Sequence, residues 1–264
     1  MWSGPRNLST AMMYAFGNRA DFHVVDEPFY GPYLRLTGLP HPMRDKILQS
    51  RPDDAATVER GLLAPMPGDR PHAYQKHMTQ HMIPGIPRGF MRVCVNVFLL
   101  RHPARVATSF SKGYERITGV DIGFRQQVEL FDHVVSIGLK PVVIDSADIR
   151  RDPERMLRKL CDAIGLMWDP AMLSWPKGGH PADGVWAAHW YASVHDSTGF
   201  AGPEGPLPKV SPDLHPPVDA ALPYYNRLTE TSLNPSAFRS RPISTPAAAL
   251  ADTLRFPSIT AVPG

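Results

Sequence analysis

Cysteine is scarce in this chain of 264 residues: Cys94 and Cys161 are its two. That number excludes a disulfide framework and a Cys-rich metal site, and both lie inside apolar stretches, where buried free thiols are expected. Long hydrophobic runs are also missing. The most apolar one, Val93 to Leu100, is broken by Asn96 and falls well short of the ~20 residues of a membrane span. No leader-type segment opens the sequence, so a reducing cytoplasm is the expected setting. Neither sign of charge dominates. Lys plus Arg number 28 against 25 Asp plus Glu, a net charge of +3. This suits a small anionic ligand and is too weak to argue for nucleic acid or a membrane surface. Internal repeats are absent, and so is the Gly-Lys pair of a Walker A loop.

Proline is the residue in excess, with 29 copies. Many fall between Gly202 and Pro217 and again after Pro235. The segment 234–264 is rich in Pro, Ser and Ala with little periodicity, so a poorly ordered tail is expected there behind one domain over 1–233. Hydrophobic residues at 43% and charged residues at 20% are ordinary for a globular chain.

Apolar spacing then orders the elements. Leu8, Ala11, Met12, Ala15 and Phe16 follow a helical period. Phe22 to Asp26 reads as a buried strand stopped by Pro28. Residues 30 to 63 suggest short helices, and His72 to His77 a short strand. Arg92 to Leu100 is the clearest strand, apolar enough for a parallel sheet covered on both faces. A helix follows with Pro103 at its first turn, carrying Val106, Phe110, Tyr114 and Ile117. A helix over 123–137, with Val128, Phe131 and Val135 among its apolar positions, and a strand over 141–145 come next. A last helix starts at Asp152-Pro153 and ends at Gly165. Strands alternating with helices predict βαβ units and a mostly parallel sheet. Only Met1 and Trp2 precede the first turn. The first strand is therefore expected to be truncated, either because the recorded start is late or because the fold has lost it.

Two constellations carry chemistry. Ser3-Gly4-Pro5-Arg6-Asn7-Leu8-Ser9-Thr10 leads straight into the first helix. The free N–H groups and positive dipole of a helix N-terminus favour an anion there; Gly4 allows a tight turn, Arg6 adds a cation, and Ser9 and Thr10 add hydroxyls. A plain capped surface helix is the competing reading. The second constellation is Arg101-His102-Pro103, delivered by the strongest strand, with Ser109 in the following helix. Ligands of parallel sheets collect beyond the carboxyl ends of strands. A guanidinium and a hydroxyl there make a phosphate clamp. A Mg-dependent NTPase would place an Asp at such a strand end; this chain has an Arg.

Together the two motifs resemble the PAPS-dependent sulfotransferases, a family of the P-loop fold. Pro5-Arg6-Asn7-Leu8-Ser9-Thr10 is similar to that family's Pro-Arg-Ser-Gly-Thr-Thr-like loop for the 5′-phosphosulfate, with Asn-Leu in place of Ser-Gly. Arg101 and Ser109 match the family's Arg and Ser for the 3′-phosphate at the same spacing, and Pro103 matches as well. The resemblance covers roughly residues 1 to 195. The family's late Arg-Lys-Gly loop is echoed loosely by Lys177-Gly178-Gly179. Trp-Ser-Gly-Pro-Arg-Asn, Val-Val-Asp-Glu-Pro and Tyr-Gln-Lys-His-Met look like a bacterial sulfotransferase-like branch. The resemblance implies an α/β, P-loop NTPase-like three-layer sandwich. It implies PAPS as donor and Arg6, Asn7, Ser9, Thr10, Arg101 and Ser109 as donor-binding residues, with no metal. The expected acceptor is a small molecule or glycan bearing a hydroxyl or amine.

Sulfuryl transfer, like phosphoryl transfer, needs positioning, a cation and a base for the acceptor. Two bases stay open. Glu27 follows the strand after the cradle helix, where some members of the family place a Glu base; Asp26 beside it suits a hydrogen-bonding role. His77, in Tyr74-Gln75-Lys76-His77-Met78, echoes a Lys-x-His segment of the cytosolic branch and is a sound base near neutrality. Lys76 could stabilise the bridging oxygen. His81 would share a face with His77 if a helix ran there, but without a Glu after the first His a metal is not expected. Trp186 to Tyr191 reads as core, or as pocket lining. Two rival readings remain: a P-loop kinase, requiring ATP and Mg²⁺, and a non-catalytic relative that only binds.

Overall fold

The computed structural model describes residues 1–65, 68–113 and 117–234. Tyr114 and the expected tail from 235 onward lie outside these residues. Five parallel strands stand in the order β2-β3-β1-β4-β5. They are β1 (Trp2–Ser3), β2 (Phe22–Asp26), β3 (His72–Met78), β4 (Val97–Leu100) and β5 (Val142–Asp145). The helices are α1 (Ser9–Gly17), α2 (Tyr30–Thr37), α3 (Arg44–Ser50), α4 (Ala55–Leu63), α5 (Pro103–Phe110), α6 (Phe124–Ser136), α7 (Ser146–Arg151), α8 (Pro153–Ile164), α9 (Ala187–Trp190), α10 (Ala192–His195) and α11 (His215–Thr229).

Sheet alternation creates two cores. Leu99 of β4 and Ile144 of β5 join Met12, Met13 and Phe16 of α1 and Met156, Leu157 and Leu160 of α8 on one face. Phe98, Leu100 and Val143 join Val128 and Val134 of α6 and Tyr225 and Leu228 of α11 on the other. Successive strand side chains point to opposite faces, so one apolar run feeds both layers.

The first strand is present, though only two residues long. It is the middle strand of the sheet: Trp2 is in register with His77 of β3 and Phe98 of β4. Trp2 is 2% exposed, and its indole N–H donates to Asn96 Oδ1 at 2.9 Å. The side-chain amide of Gln127 reaches the Leu99 carbonyl at 2.9 Å from α6. The alternative in which the fold has lost this strand is thereby set aside.

Local rules explain most boundaries. Asp152 caps α8 by accepting from the Arg155 N–H at 3.1 Å, and Gly165 closes it at φ +72°, the left-handed region glycine favours. His102 Nδ1 accepts from the Ala104 N–H at the start of α5. Two expectations are corrected. The segment 92–96 is not strand: Gly89–Val93 forms a 3₁₀ turn, and Val93 and Val95 are exposed. On α6 the buried positions include Gln127, Leu130 and Val134, while Val135 is exposed. The Pro-rich stretch after Ser211 begins a long helix, α11, with prolines in its first turn, where no intrahelical N–H partner is needed, and Pro223 inside it.

Candidate active site

β1, β3 and β4 end at one edge of the sheet, and a cavity of about 780 Å³ opens there. Residues 4–8 connect β1 to α1 beneath it. Gly4 is required by close approach: a Cβ there would lie 2.7 Å from the Ile122 carbonyl oxygen. No side chain caps α1 at Leu8, so its first N–H groups remain available to an anion. Arg6 holds a left-handed backbone at φ +54°. Strain of this kind persists only where surrounding structure enforces it. Arg6, Asn7, Ser9 and Thr10 all line the cavity. Asn7 also ties the loop down, donating from Nδ2 to the Leu99 carbonyl at 2.8 Å and accepting from the Leu8 N–H at 2.9 Å.

Arg101 and Ser109 line the same cavity. Arg101 Nη1 donates to the Arg6 carbonyl at 2.6 Å, and Arg6 Nε donates to Ser109 Oγ at 3.1 Å. The two constellations read from the sequence are therefore hydrogen-bonded to each other. Burial, and then the charge of Arg101, push the Arg6 guanidinium below its ordinary pKa. Two adjacent cations and a bare helix start make a place for a polyanion. Two further arginines, Arg105 and Arg150, gather beside Arg101 around Glu204. Sequence reading did not single them out. Arg150 follows β5, the neighbour of β4, and sheet order would have pointed to it.

At the other end of the cavity is a buried charged cluster. Lys76, 1% exposed, donates from Nζ to Asp26 Oδ1 at 3.0 Å and Glu27 Oε1 at 2.5 Å. Tyr191 donates to Asp26 at 2.9 Å, and its oxygen accepts from the Trp186 indole N–H at 2.9 Å. The Gly184 N–H donates to Asp26 Oδ2 at 3.1 Å. Arg51 Nη1 reaches the Asp26 carbonyl at 2.7 Å and stacks its guanidinium over Trp186. Burial pushes the Asp26 carboxyl up, and Glu27 adds to this; Lys76 opposes both but does not outweigh them. Burial alone would lower the Lys76 ammonium, and the two carboxylates reverse that and raise it. Glu27 follows β2 with a left-handed φ of +42°, and it lines the cavity with Lys76 and Tyr191. Tyr191 lies 165 residues from Asp26, and no local pattern announces that pairing.

His77 is not brought to this cavity. It follows Lys76 in β3, and adjacent strand residues face opposite sides of a sheet. Its ring stacks on Trp2 at 4.4 Å and lies near Phe29 and Phe90. Burial holds its pKa well below the usual imidazole range, so it is a neutral core residue. His81 does not share its face. It sits in a 3₁₀ turn, stacks on Tyr30 and Tyr33, and lines the cavity. Lys177 pairs with Asp196 on the surface at 3.4 Å.

A parallel α/β domain with an anion cradle at its central strand and a buried acid–lysine cluster beside it has the layout of a group-transfer enzyme. The chain belongs to the sulfotransferase-domain family, whose pattern matches residues 1–232. This sets aside the kinase alternative. Two relatives from Arabidopsis thaliana are similar to it. "Branched-chain-amino-acid aminotransferase-like protein 1" is 35% identical over 93% of this chain and 44% of its own length. "Branched-chain-amino-acid aminotransferase-like protein 2" is 34% identical over 86% and 40%. The chain thus spans less than half of each. Among solved structures it is similar to the "Sulfotransferase Domain from the Curacin Biosynthetic Pathway", with a TM-score of 0.48, 15% identity, and 83% and 95% of the two chains covered. It is also similar to the "Sulfotransferase Domain from the Synechococcus PCC 7002 Olefin Synthase", with a TM-score of 0.44, 17% identity, and 83% and 92% covered. Among the described residues, no helix is long and apolar enough to cross a membrane.

Proposed function

We propose that this domain transfers a sulfuryl group from PAPS to a hydroxyl of a small molecule or glycan, with Glu27 as the base. One observation carries the reading: Arg6, Arg101 and Ser109 line the same cavity as Glu27 and Lys76. The backbone N–H groups opening α1, with Arg6, Ser9 and Thr10, suit the 5′-phosphosulfate, while Asn7 anchors their loop. Arg101 and Ser109 suit the 3′-phosphate. In the transfer, the acceptor oxygen forms a bond to sulfur as the bond from sulfur to the bridging phosphate oxygen breaks, and 3′,5′-ADP leaves. Glu27 takes the acceptor proton. Its hydrogen bond from Lys76 falls on Oε1, and the Tyr191 hydroxyl lies 3.2 Å from the same atom. Lys76 is placed to offset charge growing on the leaving oxygen. The cavity's acceptor side is walled by Tyr30, Tyr33, His81 and Trp190, rings suited to the flat face of a sugar or an aromatic alcohol.

The test uses sulfur-labelled PAPS with panels of sugars, lipids, small alcohols and peptides. Once an acceptor is found, Glu27→Gln should abolish most turnover while 3′,5′-ADP affinity stays within about twofold, since general-base loss costs ~10²–10⁴ in rate. His77→Ala should retain turnover in whatever fraction stays folded. The opposite pattern would move the base to His77, and transfer to none of the panels by a protein that binds 3′,5′-ADP would favour the purely binding relative.

A further inference from the structure

The loop between α10 and α11 has no regular structure from 200 to 211. It is pinned at one end by a bridge between Gly199 and Ser174. Residues 201–203 and 205–207 are exposed, but the Glu204 side chain is only 3% exposed. Its carboxylate meets three guanidinium groups: Arg101 at 2.7 Å and Arg150 at 3.3 Å on Oε1, and Arg105 at 3.0 Å on Oε2. The same arginines hold the loop backbone. Arg105 Nη1 donates to the Glu204 carbonyl at 3.1 Å, and Arg150 Nε donates to the Gly202 carbonyl at 2.8 Å.

The chemistry of this seat is mismatched to its occupant. A carboxylate offers one negative charge and two oxygens to three forked cations. A phosphate monoester offers close to two charges and three oxygens, which arginine forks match better. Arg101 and Arg150 both line the donor cavity, and Arg101 is bonded to the Arg6 carbonyl of the cradle. Phe200 and Val210 pack the two ends of the loop against apolar clusters, while its middle, 201–207, lies mostly in water and is held by those arginine contacts, and segments of that kind open at low cost.

We infer that Arg101, Arg105 and Arg150 form the seat of a ribose-phosphate dianion, that the Glu204 carboxylate occupies it in the nucleotide-free protein, and that the arriving nucleotide displaces Glu204 and releases loop 200–211. The inference rests on the donor assignment above for the identity of the nucleotide, and on the three-arginine geometry for the rest.

Two readouts test it. Calorimetry compares 3′,5′-ADP with 5′-AMP, which lacks the second phosphate, on the native protein and on Glu204→Gln. The variant should bind 3′,5′-ADP about tenfold more tightly, because a neutral amide gives up the charge-assisted part of its hold on the arginines. Its 5′-AMP affinity should not change. Weaker 3′,5′-ADP binding by the variant, or an equal gain for 5′-AMP, overturns the inference. The second readout is tryptic cleavage at Lys209, which is exposed in this loop. Saturating 3′,5′-ADP should speed that cut in the native protein, and Glu204→Gln should speed it without nucleotide. Protection of Lys209 by nucleotide would contradict displacement. If 3′,5′-ADP binds neither protein, the donor assignment fails, and inorganic phosphate then judges the seat alone. Phosphate should accelerate the Lys209 cut in the native protein; no acceleration removes the seat as well.

Discussion

Replacing Lys76 with methionine keeps the side-chain length and removes the charge from the most enclosed part of the site. Its ammonium lies 3.0 Å from Asp26 and 2.5 Å from Glu27. At such distances each attraction is roughly 6 kcal/mol with an effective dielectric of about 20. Desolvation offsets much of this while the cluster is whole, but breaking a buried pair leaves an uncompensated charge and costs about 3–5 kcal/mol. In Lys76→Met two carboxylates would face each other with Arg51 as the nearby cation, and Arg51 is directed at backbone carbonyls. Asp26 already has a raised pKa in the folded protein. Between its unfolded and its folded pKa the native protein binds more protons than the unfolded chain, so stability falls as pH rises through that interval. Removing Lys76 raises the carboxyl pKa values further and widens that window upward. Denaturant unfolding at pH 8 and pH 5 should show a deficit of about 3–5 kcal/mol at the higher pH. The deficit should shrink by ~1.4 kcal/mol per pH unit wherever the variant's native state carries one extra proton. Asp26→Asn in the same background should restore part of the loss. A deficit independent of pH, or none, would refute the assignment of Lys76 as the charge that balances Asp26 and Glu27.

Arg101→Ala should weaken 3′,5′-ADP binding by about 1.5–3 kcal/mol, the loss of a charged hydrogen-bonding partner, measured by calorimetry; unchanged affinity would remove Arg101 from the site. Asp145, at the end of β5, accepts from Tyr225 at 2.7 Å and from the Ala147 N–H, and burial pushes its pKa up to about 6. Stability should therefore fall with rising pH between about 4 and 6 and stay down above that. Asp145→Asn should flatten this profile in chemical unfolding and gain up to about 3 kcal/mol at pH 7.5; a destabilised variant at that pH would contradict the burial argument.

Much of the fold was legible because its signals are local. The period of α1, the proline opening α5 and the Asp152–Gly165 frame of α8 each depend on neighbours in the chain. The strand expected over 92–100 is too long because apolar content does not report burial: Val93 and Val95 stand in solvent while Val97 to Leu100 are enclosed. α11 was hidden because proline in a first turn carries the same composition as proline in a loop. In the site, the arginines of the cradle and of β4 were legible from their place at strand ends. That Lys76 and not His77 faces the cavity needed the strand phase, since a shift of one residue sends a side chain to the other layer. Tyr191, Arg51 and Glu204 were illegible for a different reason: each acts through a partner more than twenty residues away.

The central claim is that one metal-free cavity holds a nucleotide bearing phosphates on both its 3′ and 5′ positions. Calorimetric titration of the native protein in chelator-treated buffer tests it most directly. One-to-one binding of 3′,5′-ADP with no binding of ATP is the predicted result. ATP binding that requires Mg²⁺, with 3′,5′-ADP ignored, would contradict it.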